Sequence, residues 1–157
     1  MIQRIQSIFL LLAGTASVMI LFLPIWSNGV PGQYSVVANA ITLKMSNPVG
    51  DVLKTESVGY VAALAALCAI VTFYTIFKFK TRKIQIKLGW LSILLNCGLV
   101  VAFVYSITRG QSLLGIDEAG SFSAGFFMPY ISMGCIFIAN HYIRKDERLV
   151  RSIDRLR

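Results

Sequence analysis

Apolar positions run in four long blocks, and the charged positions gather between them. Ile5 to Trp26, Val58 to Phe77, Leu88 to Thr108 and Ala119 to Ile143 contain no Asp, Glu, Lys or Arg. Each block reaches the ~20 residues that carry a helix across a ~30 Å hydrocarbon layer. A soluble core helix of that length would show a polar stripe, whereas here only scattered Ser, Thr, Asn and Gly interrupt the blocks. The pattern predicts an all-α membrane protein. Its expected form is a four-transmembrane-helix up-down bundle with spans at 5–26, 58–77, 88–108 and 122–143. Residues 1–157 then form one membrane domain with an extracytoplasmic loop over 27–57 and a cytoplasmic tail over 144–157.

Inside the long loop the pattern changes. Asn28-Gly29, Pro31-Gly32 and Asn47-Pro48-Val49-Gly50 are turn signals. Between them Tyr34–Val37 and Ile41–Met45 are rich in β-branched and aromatic residues, which predicts a small β-element over the bundle. Asp51 to Glu56 reads as an exposed first turn of the second span. Within the spans, Ala62/Ala66 and Ala65/Ala69 have the small-xxx-small spacing that lets helices approach closely, in this chain or from another. Pro129 predicts a kink in the last span.

Composition agrees with the pattern. Of the 157 residues, 56% are hydrophobic and 14% charged, against about 25% charged in soluble domains. The net charge is +8, unevenly placed. Twelve of the fifteen basic residues fall in Met1–Arg4, Lys78–Lys87 and Arg144–Arg157. The remaining loops hold Lys44, Lys54 and Arg109. The positive-inside rule therefore predicts a multi-pass membrane protein with both termini and the Lys78–Lys87 loop cytoplasmic. Topology accounts for the charge without nucleic-acid binding. An alternative reading makes Met1–Leu23 a signal peptide with Ala38-Asn39-Ala40 as its cleavage site. The apolar run exceeds the usual h-region of ~7–15 residues, and the site lies far beyond its end.

Candidate chemistry is sparse. Cys68, Cys97 and Cys135 fall one to a span, without C-x-x-C spacing or nearby His and carboxylate partners, and read as small apolar fillers. No metal and no cofactor is expected. The absence of ionisable residues within the spans counts against an ion pump or proton-coupled transporter. Asn96 is the strong polar side chain at mid-depth and is a candidate interhelical polar contact. His141 and Ser123 are separated by about 27 Å of helix at 1.5 Å per residue, too far for a dyad. The Gly120–Gly125 run misses the G-x-S-x-G spacing.

The tail carries a surface. At 100° per residue, Arg144, Arg148, Arg151 and Arg155 share one stripe of a short amphipathic helix, opposite Leu149, Val150, Ile153 and Leu156. Like charges at i,i+4 repel by ~0.2–0.5 kcal/mol. The four arginines are therefore candidate contacts to lipid headgroups or to an acidic partner on the cytoplasmic side, with a solvated anchor as the plain alternative.

Two segments carry a resemblance. Met1-Ile2-Gln3-Arg4-Ile5-Gln6-Ser7-Ile8-Phe9-Leu10-Leu11-Leu12-Ala13, and the stretch from Ile143-Arg144-Lys145-Asp146-Glu147-Arg148 to Arg157, resemble an uncharacterised family of small four-span inner-membrane proteins of Bacteroidota, the domain-of-unknown-function family 4293. The resemblance implies a bacterial inner-membrane location and brings no activity or site residues. Together these observations predict a non-enzymatic accessory or scaffold subunit of an inner-membrane assembly, its partners being the bilayer and another membrane protein or an acidic partner. The rival reading is a small carrier or binder of a lipid or apolar molecule within the bundle. An enzyme using Cys68, Cys97 or Asn96 is the third.

Overall fold

A computed structural model describes residues 5–28, 34–79, 81–114 and 120–154. It contains four helices, α1 (Ile5–Met19), α2 (Gly59–Phe77), α3 (Arg82–Leu114) and α4 (Ala124–Asp154). Five strands accompany them: β1 (Trp26–Asn28), β2 (Ser35–Ala38), β3 (Thr42–Ser46), β4 (Val52–Ser57) and β5 (Ser121–Phe122). The all-α expectation is thus corrected. The strands form one antiparallel sheet in the order β4-β3-β2-β1-β5.

The four-span expectation is corrected as well. Three helices, α2, α3 and α4, are long and apolar enough to cross a membrane, while α1 has 15 residues. The hydropathy run from Ile5 to Trp26 does not stay helical. Leu21 and Phe22 tighten onto the carbonyls three residues back, at 3.0 and 3.1 Å. Pro24 then lacks an N–H and disfavours helix at Leu23. Ile25 N–H bonds to Ala38 O at 2.8 Å, and Trp26 enters β1.

The sheet follows side-chain alternation. Trp26 and Asn28, Val36 and Ala38, and Leu43 are buried, with their neighbours more exposed, so one face of β1–β3 packs inward. The β2–β3 pair fits the predicted β-element. The segment read as a helical turn before α2 is instead β4, paired with β3 from Thr42–Ser57 to Ser46–Val52. Their connection is built by Asn47, whose Oδ1 accepts from Val49 N (3.1 Å) and Asp51 N (2.9 Å). Gly50 completes it at φ +95°, where a side chain would be strained. On β4, Lys54 Nζ and Glu56 Oε1 are 3.0 Å apart, and this bond holds the Glu56 carboxyl below its usual range.

The helices pack as a ring: α1 on α2, α2 on α3, α3 on α4, and α4 on α1. Cross-contacts set the levels. Ser17 meets Ser132, and Phe9 stacks on Tyr142 with centroids 6.1 Å apart. Tyr60 meets Ser106 at 2.7 Å, and Arg82 Nη1 donates to Asp146 O at 3.0 Å. Neighbours are therefore antiparallel. The start of α1, the α2–α3 turn and the end of α4 share one end of the bundle, and the sheet caps the other. Trp26 joins the two layers. Its indole covers Gly110 of α3 and Gly120, where an added Cβ would lie 3.3 and 2.5 Å from ring carbons. The expected separate tail helix is also corrected, because α4 continues unbroken through Asp154. No Gly or Pro interrupts Ile143–Asp154. Pro129 lies inside α4 without ending it.

Candidate functional site at the basic end of the bundle

The half of the bundle away from the sheet buries polar side chains among apolar ones such as Leu10, Ile136 and Ile143, and is apolar outside. On the first half of α3, up to Asn96, the buried positions are Gln85, Gly89, Ser92 and Asn96, at spacings of four, three and four. Ile84, Trp90, Leu91 and Leu94 point outward. This inverts the order of a soluble helix, where the apolar stripe faces the core. The stripe corrects the expectation that the spans carry only scattered polar residues. Its 4–3–4 recurrence is visible in the sequence once Gly89 is counted as the position facing a neighbour.

Some of these groups are bonded. Asn96 is fully buried, and its Nδ2 donates to Ser92 O of its own helix at 2.8 Å. Thr72 Oγ1 reaches Ser92 Oγ at 3.5 Å across α2 and α3. Ser132 Oγ lies 3.2 Å from both Ser17 Oγ and Ala13 O, tying α4 to α1. Among the described residues, Asn96 Oδ1, Gln6 Oε1 and both amide atoms of Gln85 and Asn140 are buried without a hydrogen-bond partner. The register places Gln6 and Gln85 at the same end of the interior, next to the basic residues. Such groups cost of order 1–3 kcal/mol each when left unpaired.

At this end α3 and α4 leave a lateral pocket of about 60 Å³ lined by Trp90, Phe137, Asn140, His141 and Arg144. Gly89 makes it possible. A Cβ at position 89 would overlap the Asn140 amide, so the missing side chain is what lets Asn140 lie against α3. The Arg144 guanidinium sits over the Trp90 ring, 5.6 Å from its centroid, a cation–π contact that holds a positive charge at the rim.

The sequence-derived candidates separate in the structure. Arg144 and Arg148 are exposed on α4. The side chain of Arg151, and Arg155 altogether, lie outside the described residues. Arg144 is thus the stripe residue seen to join a built site, together with Trp90, Asn140 and His141, which pattern alone does not connect. Ala65 and Ala69 are buried and Ala62 and Ala66 half-buried, so this small-residue spacing serves packing within the chain. Cys68 is buried, Cys97 faces outward and Cys135 is half-buried, all as free thiols. Among the described residues no three His, Cys, Asp or Glu side chains are grouped to hold a metal.

No curated protein matches the chain in sequence. The model of one family, described as Domain of unknown function (DUF4293), matches residues 2–156. Covering nearly every residue from the start of α1 to the end of α4, that match establishes that the chain belongs to this family.

Proposed function

We propose that the chain is a non-enzymatic accessory or scaffold subunit of a bacterial inner-membrane assembly. Its basic end, both termini included, lies in the cytoplasm, and the sheet lies on the outer side. Three membrane-length helices and an apolar outer wall support the membrane location. Lys78, Arg82, Lys83, Lys87, Arg144, Lys145 and Arg148 gather opposite the sheet, which supports the orientation.

The observation that carries the scaffold reading is the open edge of the sheet. Among the described residues β4 is the last strand, so one side of its backbone has no neighbour in the sheet. Val52 and Leu53 on it are more than half exposed, and Val49 in the preceding turn more so. An edge of this kind accepts a strand from a partner, with main-chain bonds for affinity and side-chain pockets for specificity. The Lys54–Glu56 pair guards the same edge against indiscriminate pairing. A lipid or apolar cargo inside the bundle draws less support, because Gln6, Gln85, Ser92, Asn96 and Asn140 line the interior near the basic end.

A photoreactive residue at Leu53, compared in cells with one at Leu94 on the outer wall of α3, tests the reading. The scaffold predicts a discrete protein adduct at position 53 that disappears with Val52→Lys. Lipid adducts at both positions, with no protein adduct at either, would overturn it.

A further inference from the structure

We infer that the α3–α4 pocket is a binding site for the phosphate-bearing headgroup of an anionic phospholipid. Four independent features converge on it. The first is size. About 60 Å³ is several times the ~10–15 Å³ that holds one water, and suits a group of four or five heavy atoms. The second is a buried polar side chain without a partner. Asn140 is 3% exposed and lines the pocket, and neither of its amide atoms has a hydrogen-bond partner among the described residues. Its amide is packed against Gly89 and must turn toward the pocket to donate to a phosphate oxygen. The third is charge. Arg144 is held at the rim over Trp90, and a guanidinium is the side chain best shaped for phosphate. Lys87, three residues before Trp90 and exposed, adds a second cation to that face.

The fourth feature is level, and it selects lipid as the source. The uncharged stretches begin at Leu88 on α3 and end at Ile143 on α4. The pocket residues lie at that border, where headgroups meet hydrocarbon and where Trp concentrates. Above the pocket the wall is apolar and outward-facing. Trp90 is 46% exposed, Phe137 62% and Leu94 68%. That surface suits the acyl chains of the molecule whose headgroup fills the pocket. A soluble phosphate compound would gain nothing from it.

The full chain in lipid vesicles provides the test, with Trp90 as reporter. Trp26 is buried at the sheet end and contributes a constant background. Phosphatidylglycerol and phosphatidylcholine, each brominated on its acyl chains in turn, are compared as quenchers at equal mole fraction. Brominated phosphatidylglycerol should quench more strongly. Arg144→Gln should reduce that preference about fivefold, the effect of one basic side chain at an anionic surface. Asn140→Leu, similar in size, should reduce it further. Arg148→Gln removes the same charge outside the pocket and should change it less than Arg144→Gln does. Equal quenching by the two lipids in the unmodified protein would refute the site. Equal loss in Arg144→Gln and Arg148→Gln would reduce it to general surface charge and refute it too. Relief of quenching by millimolar inorganic phosphate at constant ionic strength would overturn the choice of lipid over free phosphate. Arg144 is exposed, so its variant reads out even if Asn140→Leu fails to fold.

Discussion

The Asn140 amide fills the space that a side chain at position 89 would occupy, so Gly89 and Asn140 are a matched pair across α3 and α4. One residue must be small for the other to be buried there, and together they shape the pocket below Trp90.

Gly89→Ala should therefore destabilise the bundle. Forcing a methyl against a packed amide costs about 1–3 kcal/mol. Gly98→Ala is the internal control, because an added Cβ at position 98 meets no atom within 4 Å. Thermal unfolding in detergent should show a lower midpoint for Gly89→Ala and an unchanged or higher one for Gly98→Ala, because Ala favours an unobstructed helix position over Gly by up to about 1 kcal/mol. Equal midpoints for the two variants would show that Asn140 moves aside freely.

Trp26 is predicted to couple the sheet to the helices. It is buried against Gly110 and Gly120, and Val36 and Leu43 pack at the same point on α3. Trp26→Ala should cost about 3–5 kcal/mol. The loss should appear first in the sheet. Hydrogen exchange should speed up in β1 and β2, while the interior of α2 stays protected.

The Ser17–Ser132 contact links α1 to α4 at 3.2 Å within the buried bundle. Interhelical hydrogen bonds in membrane proteins average about 0.6 kcal/mol in double-mutant cycles. A cycle with Ser17→Ala and Ser132→Ala should give a coupling of that order. A coupling of zero would mean that Ala13 O, 3.1 Å from Ser17 Oγ, satisfies the hydroxyl alone.

Orientation has a direct test. In a background with Cys68, Cys97 and Cys135 replaced by Ala, Lys44→Cys on β3 should react with a membrane-impermeant thiol reagent applied from outside the inner membrane. Lys83→Cys on α3 should react only after that membrane is opened. The reverse pattern would invert the proposed topology.

Some of this was already written in local sequence. Apolar length marks α2, α3 and α4, because a helix that crosses ~30 Å needs only its own residues to do so. The turn at Asn47–Gly50 and the strands on either side of it are local too, and the β-branched Val52 and Thr55 signal β4. Pro24 likewise marks the point by which the first apolar run must leave the helix, although hydropathy alone carries the run on to Trp26.

Other features depend on residues far apart in the chain. β5 is two residues long and exists because Ser121 and Phe122 meet Ser27 and Trp26. Neither segment has a strand's pattern without the other. The polar stripe of α3 looks like scattered residues until the ring of helices decides which side faces inward. The pocket joins Trp90 and Phe137 to Asn140, His141 and Arg144 because α3 and α4 run antiparallel with Gly89 level with Asn140. Chain-local energies, such as apolar transfer, charge placement and turn geometry, are readable from neighbouring letters. Which buried group faces which is set by packing between helices, and only the tertiary structure decided it.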